Sequence, residues 1–255
     1  MLYRIVAAMT AFGAALLWTG CTSEQSSSPS GAASTPNPSM GQGGMVAVLP
    51  SRALSYLTDE YAFLYADVDQ GVAHTLQSKN VAVVPAADVD AILNDSNGSI
   101  LRRMKSATPG DLESAVVDLL WRLRDEQDVS MLIIPQVMVR SIVVRPPYQN
   151  VSWDGVQRDL TVHGGGQTGG PLQLDAASLN VGVYTAQGQP LYYGAGGIDL
   201  LENGVRAGDD VYTAPKQPGQ IPMADIEQAA GIALSPWIRE GGVRTASLEA
   251  RHQDR

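Results

Sequence analysis

The strand that organises the fold begins at Met45 and ends at Pro50, where the sequence reads MVAVLP. A short β-branched apolar run that ends in proline is typical of a buried strand. Two later runs repeat the pattern, VAVVP at Val81–Pro85 and LIIP at Leu132–Pro135. Buried strands separated by helical segments are typical of βαβ units with parallel pairing. The three runs therefore predict an α/β domain.

The segments between these runs carry the periodicity of helices. Thr58 is a candidate N-cap, and apolar residues recur after it at helical spacing. A short second helix is predicted over residues 86–93, with a break at 94–98. Thr108-Pro109 predicts the start of a third helix, because proline is favoured at the first helical position. Its apolar stripe consists of Leu112, Val116, Leu119, Leu120 and Leu123.

The C-terminal half of the domain predicts antiparallel strands. Residues 129–144 form one long strand, or two strands joined at Pro135. Residues 148–173 are glycine-rich and predict an irregular segment. Alternating apolar residues over 177–185, a turn at 186–190 and a return strand from Leu191 predict a β-hairpin.

Residues 222–239 predict a helix that closes the domain, with Ile226, Ala230, Ala233 and Trp237 on one side. The expected fold class is therefore α/β. We expect a single three-layer-like domain with a mixed sheet, in which βαβ units come first and an antiparallel hairpin and the closing helix come last.

The N-terminus has the features of a secretory signal peptide. Arg4 precedes an apolar stretch from Ile5 to Trp18, which is shorter than the roughly 20 residues that a membrane-spanning helix needs. The following Leu-Trp-Thr-Gly-Cys resembles a bacterial lipobox, and Cys21 is the only cysteine of the chain. The alternative is an ordinary signal peptide with an incidental cysteine. In a lipoprotein, several acyl chains on Cys21 would anchor the mature chain stably to a membrane.

A Ser/Pro/Gly-rich segment follows Cys21 and predicts a disordered tether. Residue 22, directly after the cysteine, is threonine and not aspartate, and this pattern resembles that of lipoproteins sorted to the outer membrane in Gram-negative bacteria. We therefore expect a protein that is lipid-anchored in the outer membrane and faces the periplasm. The predicted organisation is a signal peptide at 1–20, the lipidated cysteine and tether at 21–44, the α/β domain at 45–240 and a flexible charged tail at 241–255.

Composition argues against a nucleic-acid partner, a disulfide and a metal site. The net charge of -9 and the pI of about 4.7 argue against nucleic acid, whose phosphates require a basic surface. With one cysteine no disulfide can form within the chain, so packing alone must hold the fold. The three histidines share no ligand spacing. We therefore expect no metal and no cofactor.

Few residues are candidates for catalysis. Gly194-Ala195-Gly196 lies in strand-like sequence and opens no helix, so it fails as a dinucleotide loop. It predicts instead a glycine bulge that curves the sheet, or a place where another backbone approaches closely. Asp199 and Glu202 could pair as acid and base, or His74 could take part in a site assembled in space.

Four aromatic residues are candidates for partner contact: Tyr148, Trp153, Tyr192 and Tyr193. Aromatic side chains on loops or sheet edges anchor protein partners. The alternative is that some of them cap the hydrophobic core.

The order of these features is similar to that of a known superfamily. The features are the lipobox-like segment, the tether, VAVLP, a long helix, VAVVPAADVDAIL, a further helix, VSMLIIPQV and a hairpin before LYYGAGG. They resemble the periplasmic lipoproteins that include the curli-secretion lipoprotein and the penicillin-binding-protein activator lipoproteins. The domain of that superfamily is similar to the N-terminal domain of the Tol translocation protein. The resemblance covers residues 45–240 and rests on element order more than on exact motifs.

The resemblance implies no enzymatic centre, and implies binding to other envelope proteins or self-association. Residues 145–176 are too polar and glycine-rich to supply paired membrane-spanning strands of about 9–11 residues. We therefore expect a non-enzymatic interaction or envelope-assembly factor. Two alternatives remain open, an envelope hydrolase and an accessory lipoprotein of an export system.

Overall fold

A computed structural model describes residues 44–54, 57–105, 108–145, 150–160, 162–163, 171–207 and 210–239. Cys21, Tyr148, the predicted signal peptide, the tether up to residue 43 and the tail lie outside the described residues.

The centre of the domain is a four-stranded mixed sheet with the order β1-β2-β6-β7. These strands are β1 (Met45–Val48), β2 (Val129–Val144), β6 (Leu172–Thr185) and β7 (Pro190–Leu200). β1 runs parallel to β2, whereas the β2–β6 and β6–β7 pairs are antiparallel. The predicted α/β fold with a mixed sheet and a late hairpin is confirmed.

Among the described residues, four α-helices cover the sheet in two layers. They are α1 (Leu64–Gln77), α2 (Ala86–Met104), α3 (Pro109–Gln127) and α4 (Met223–Arg239). Two short 3-10 turns, Ser51–Ala53 and Asp59–Tyr61, precede α1. The sheet's first face packs on α1 and α4, and its second face packs on α2 and α3. Alternate residues of each strand point to opposite faces, which is why one strand serves both layers.

The packing between layers explains the helical periodicity. The buried aliphatic side chains of α1 recur at every fourth position, Leu64, Val68, Val72 and Leu76. On α4 the predicted side residues Ile226, Ala230, Ala233 and Trp237 are all buried. A Cβ on Gly71 would come within 2.7 Å of Ile226 Cγ2, so α1 and α4 approach closely at that glycine.

The prediction of a strand at Val81–Pro85 is wrong. Only Val83 forms a bridge, parallel to Val46 of β1. Val46 donates its N–H to Ala82 O at 2.8 Å, and Val84 donates to Val46 O at 2.9 Å. The segment is too short for a ladder because α2 begins immediately after Pro85. It nevertheless covers the outer edge of β1.

The second helix is longer than predicted and extends to Met104. Gly98 has a φ of 68°, the left-handed conformation that glycine adopts without strain, yet the helix continues beyond it. Ile100 and Met104 are buried against the same core as Ile92 and Leu93. Tertiary packing thus overrides the weak helix propensity of the Asn-Gly step.

Residues 129–144 form a single strand. The prediction that residues 148–173 are irregular is wrong for the described residues 150–160. β3 (Asn150–Trp153) and β4 (Val156–Asp159) form an antiparallel hairpin. Apolar residues of this hairpin and its flank pack with residues at the end of β2, the start of β6 and the end of β7. Together they form a third, smaller core: Val144, Val151, Leu160, Leu174, Ala176 and Leu200.

Three further strands escaped prediction. β5 (Val162–His163), β8 (Glu202–Ala207) and β9 (Asp210–Pro215) form a second sheet with the order β5-β8-β9. β8 (ENGVRA) and β9 (DVYTAP) lack the regular apolar alternation of a half-buried strand, so the pattern of the sequence did not predict them.

Candidate interaction surface

The β6–β7 hairpin carries no charged residue from Ala176 to Ile198, in a chain that is 17% charged. Gly188, with a φ of 78°, permits the tight turn between the strands. Thr185 and Gln189 close that turn with a backbone hydrogen bond of 2.9 Å. The hairpin therefore presents an end strand, β7, that is uncharged from Pro190 to Ile198, at one side of the main sheet.

On the first face of β7, glycines allow α4 to approach very closely. A Cβ on Gly194 would overlap the carbonyl oxygen of Ala233, and a Cβ on Gly196 would overlap that of Ala229. Tyr192 lies on the same face and donates its hydroxyl to Ala233 O at 2.9 Å. The interpretation of Gly194-Ala195-Gly196 as a site of close backbone approach is confirmed.

On the second face of β7, Tyr193 is 65% exposed. Its ring meets that of Tyr184 edge to face, with centroids 6.0 Å apart and an interplanar angle of 89°. The two hydroxyl oxygens lie 3.1 Å apart. Burial raises the pKa of Tyr184, and the hydrogen bond to Tyr193 raises it further, so this hydroxyl keeps its proton. The pair forms a fixed aromatic corner beside solvent.

Helix α3 adds two exposed apolar residues that the sequence analysis missed. Trp121 is 68% exposed and Val117, one turn earlier, is 44% exposed. A Cβ on Gly188 would lie 3.2 Å from Val117 Cγ2, so this stripe adjoins the hairpin turn. The sequence did contain a signal for this exposure, because Trp121 lies outside the apolar stripe of its amphipathic helix. We call Val117, Trp121, Tyr184 and Tyr193 the aromatic surface.

The other predicted contact residues differ in exposure. Trp153 is half-buried in β3, and its indole Nε1 donates to Ala177 O at 3.2 Å. It packs against the third core and fastens the β3–β4 hairpin to β6. Tyr192 is half-buried against α4, and Tyr148 lies outside the described residues. Of the four, Tyr193 offers the largest described contact area.

The outer edge of β7 is covered over its second half only. Gly197 donates its N–H to Asp154 O at 3.0 Å, and Arg158 Nη2 donates to Ile198 O at 2.7 Å. Both partners belong to the β3–β4 hairpin. Within the part of the chain that the structure describes, no strand pairs with this edge from Leu191 to Ala195. We call these five residues the open edge.

The backbone groups of the open edge follow from the hydrogen bond of Gly197. Its N–H points away from β6, because it bonds to Asp154. Along a strand of an antiparallel pair, one residue directs its N–H and C=O groups toward the neighbouring strand, and the next residue directs both groups away from it. Ala195 and Tyr193 share the parity of Gly197, so they direct their N–H and C=O groups outward, whereas a bulge at Leu191 interrupts the alternation.

An ionic cluster secures the covered half of the edge. The carboxylate of Asp199 is 2.5 Å from Lys216 Nζ and 3.9 Å from Arg158 Nε. Arg158 Nη2 also lies 3.1 Å from Asp225 Oδ1 on α4, and Nη1 donates to Gln228 Oε1 at 3.0 Å. Arg158 therefore joins β4, β7 and α4.

The residues of the hydrolase alternative bind separate partners. Asp199 is buried with Lys216, whereas Glu202 accepts the backbone N–H of Asp175 at 2.8 Å. His74 Nδ1 lies 2.7 Å from Glu227 Oε1 on the exposed side of α1 and α4. Asp199, Glu202 and His74 thus each contact a different partner. Among the described hydrogen bonds, none joins Asp199 to Glu202.

A cleft of about 420 Å³ lies beside α2 and the end of α3. Acidic and amide side chains make up most of its lining: Asp88, Ala91, Ile92, Asn94, Glu126 and Gln127. This polar lining differs from the apolar groove that an accessory factor for lipid export would need.

No helix among the described residues is long and apolar enough to cross a membrane. No protein-family model matches the chain, and no curated protein matches it. Among solved structures, the chain is similar to lipoprotein GNA1162 from Neisseria meningitidis, at 14% identity and a TM-score of 0.35. The match covers 61% of this chain and 82% of that one. At these values the likeness assigns no function to this chain.

Proposed function

We propose that this chain is a lipid-anchored periplasmic lipoprotein of the outer membrane that acts through protein–protein contact and not as an enzyme. The lipobox-like segment that ends at Cys21 and the Ser/Pro/Gly-rich segment after it support the anchor. The partner meets the protein at the aromatic surface.

The observation that carries this proposal is the exposure of two large aromatic side chains beside an uncharged hairpin. Trp121 and Tyr193 are 68% and 65% exposed. Tryptophan and tyrosine are enriched among the residues that dominate binding energy at interfaces. The uncharged hairpin around Tyr193 lowers the desolvation cost of covering that residue. The aromatic surface therefore has the composition of an interface centre.

Site-specific photo-crosslinking in cells tests the contact. A photoreactive residue replaces Trp121 or Tyr193 in the full chain, and the control replaces Gln77, which is exposed on α1. We expect discrete adducts from positions 121 and 193 and none from position 77. Equal adduct patterns from all three positions would contradict a localised surface.

Mass spectrometry of the protein purified from membranes tests the anchor. We expect acyl chains on Cys21, and release of the protein from membranes in Cys21→Ser. An unmodified thiol at Cys21 in freely released protein would overturn the anchor. The absence of catalysis is tested with purified protein on peptidoglycan, ester and phosphoester substrates, and turnover that Asp199→Asn abolishes would overturn it.

A further inference from the structure

We infer that ordered water is bound between the second face of the main sheet and the turn of the β3–β4 hairpin. Four residues form the site, Arg140, Asp154, Ser178 and Asn180, and we call them the polar seam. The bound water joins the hairpin to the sheet. This site goes beyond the proposed partner contact, because it uses none of the residues of the aromatic surface.

The polar seam interrupts the apolar packing of the second face. On β6, Ala177 belongs to the core of the first face, so Ser178 and Asn180 point to the second face. On that second face, Tyr184 packs with the core beneath α2 and α3, and Ala176 belongs to the third core. Ser178 and Asn180 lie between these two cores and are members of neither.

The seam contains buried polar atoms with unused hydrogen-bonding capacity. Among the described residues, four buried side-chain atoms make no hydrogen bond: Arg140 Nε, Asp154 Oδ2, Ser178 Oγ and Asn180 Oδ1. Ser178 is fully buried. Arg140 Nε and Asp154 Oδ2 form an ion pair at 3.2 Å, but without the angle of a hydrogen bond. Buried polar groups rarely lack a partner in native proteins, and ordered water commonly supplies it.

The strand register brings the four residues to one place. Ser178 lies opposite Gly197 in the β6–β7 pair, and Gly197 donates its N–H to Asp154 O at 3.0 Å. Arg140 lies on β2 opposite Ala176, which is the next residue of β6 on the same face as Ser178. Its side chain reaches Asp154 in the hairpin turn. The ion pair therefore lies beside the buried hydroxyl.

The two β6 residues can share one water. Residues two apart on a strand are separated by about 6.5–7 Å, and two hydrogen bonds of about 2.8 Å through a water span about 5.5 Å. Asn180 Nδ2 donates to Met138 Sδ, so its Oδ1 points away from that sulfur and needs a donor. Ala195, opposite Asn180, has a short side chain that leaves space beside the amide.

The mixture of donors and acceptors selects water as the occupant. Arg140 Nε can only donate, Asp154 Oδ2 and Asn180 Oδ1 can only accept, and Ser178 Oγ can do both. The Asp154 carboxylate repels an anion, and the Arg140 guanidinium repels a cation. Water is uncharged and both donates and accepts hydrogen bonds. It therefore satisfies all four atoms without leaving a buried charge unbalanced.

The bound water supports the hairpin that covers part of β7. Trp153 Nε1 already fastens this hairpin to Ala177 O at 3.2 Å. Asp154, the next residue, adds the ion pair to Arg140. Water in the seam links this turn to the hydroxyl and amide of β6. The hairpin thus contacts the second face through an apolar part and a hydrated part.

Nuclear Overhauser effects between water and protein protons test the site in the full chain. The variant is Ser178→Ala, because a serine hydroxyl exchanges its proton with solvent and gives a water signal of its own, whereas a methyl group does not exchange. We expect a water signal at the new methyl group. The control in the same variant is the methyl group of Ala177, which is equally buried on the opposite face and should give none.

Urea unfolding of the same variant gives a second readout. If Ser178 bonds to water, removal of its hydroxyl should lower the folding equilibrium constant about threefold to tenfold. Removal of a buried hydroxyl that has no partner would instead raise this constant, because a desolvation cost disappears. Ser141→Ala, at an exposed position of β2, is the control and should change the constant by less than about twofold.

Three results would each overturn the inference. The first is no water signal at the new methyl group while the exposed hydroxyl of Ser141 gives its exchange signal. The second is an equal water signal at Ala177, which would mean that water is not confined to the seam. The third is a higher folding constant for Ser178→Ala than for the unaltered chain. None of these results depends on photo-crosslinking at Trp121 or Tyr193, so the proposed function is tested separately.

Discussion

The two faces of β7 show how neighbouring residues of the same type acquire opposite roles. Tyr192 points to the first face and bonds to a helix carbonyl, whereas Tyr193 points to the second face and is 65% exposed. The difference arises from what covers each face. The glycines at 194 and 196 bring α4 onto the first face, while no described helix covers Tyr193 on the second. The first face of β7 therefore stabilises the fold, and the second face is available for contact with a partner.

The largest effect should come from filling the glycine face. Gly196→Val would place a side chain on the backbone of Ala229, which cannot rotate away. We expect a loss of about 3 kcal/mol or more in the free energy of unfolding, measured by urea denaturation. Gly231→Ala is the control, because its Cβ meets no described atom within 4 Å outside its own helix. That variant should gain up to about 1 kcal/mol.

The ionic cluster at the buried end of β7 should rank second. Lys216→Met removes the nearest cation from Asp199, whose side chain is 8% exposed. Breaking a buried ion pair leaves a charge uncompensated, so we expect a loss of about 2–4 kcal/mol. Lys79→Met, at an exposed position, should change stability by less than about 0.5 kcal/mol. Equal urea midpoints for the two variants would show that Arg158 alone neutralises Asp199.

The paired tyrosines test the comparison directly. Tyr192→Phe removes the hydrogen bond to Ala233, and we expect a loss of about 1 kcal/mol in thermal or urea unfolding. Tyr193→Phe removes only an exposed hydroxyl contact, so the change should be below about 0.5 kcal/mol. The reverse ranking would mean that the first-face contact does not stabilise the fold.

The smallest effect concerns pH. Burial raises the pKa of Asp225, and Asp199 raises it further, more than Arg158 and Lys216 lower it. The folded state therefore holds this proton more tightly than the unfolded chain. Stability from this group is present below the ordinary value of 3.8 and is lost as pH rises through the raised pKa. Asp225→Asn should flatten that fall in urea midpoints measured from pH 4 upward. A steeper fall would contradict this assignment.

Much of the fold was predictable because its signals are local. The runs at 45–50 and 132–135 gave buried strands, and Thr108-Pro109 marked the start of α3. The β3–β4 hairpin escaped prediction because its few apolar residues are buried by strands distant in the chain, at the end of β2, the start of β6 and the second half of β7. The length of α2 also escaped prediction, because the buried contacts of Ile100 and Met104 outweigh the helix-breaking sequence at 94–98.

The candidate surface was predictable only in part. Aromatic type singled out Tyr192 and Tyr193 together, but no property of the sequence separated them. Trp121 was not predicted as a contact residue, because it lies outside the apolar stripe that identifies the buried side of α3.

By itself the sequence determined the class of fold, the order of its main elements and the uncharged character of the hairpin, because periodicity and composition act over a few neighbouring residues. Only the tertiary structure decided which edge of the sheet is covered and which tyrosine meets solvent. Those properties depend on residues distant in the chain, since segment 82–84 covers β1 and the β3–β4 hairpin stops at Gly197. Exposure is a property of the packed layers, and no local pattern encodes it.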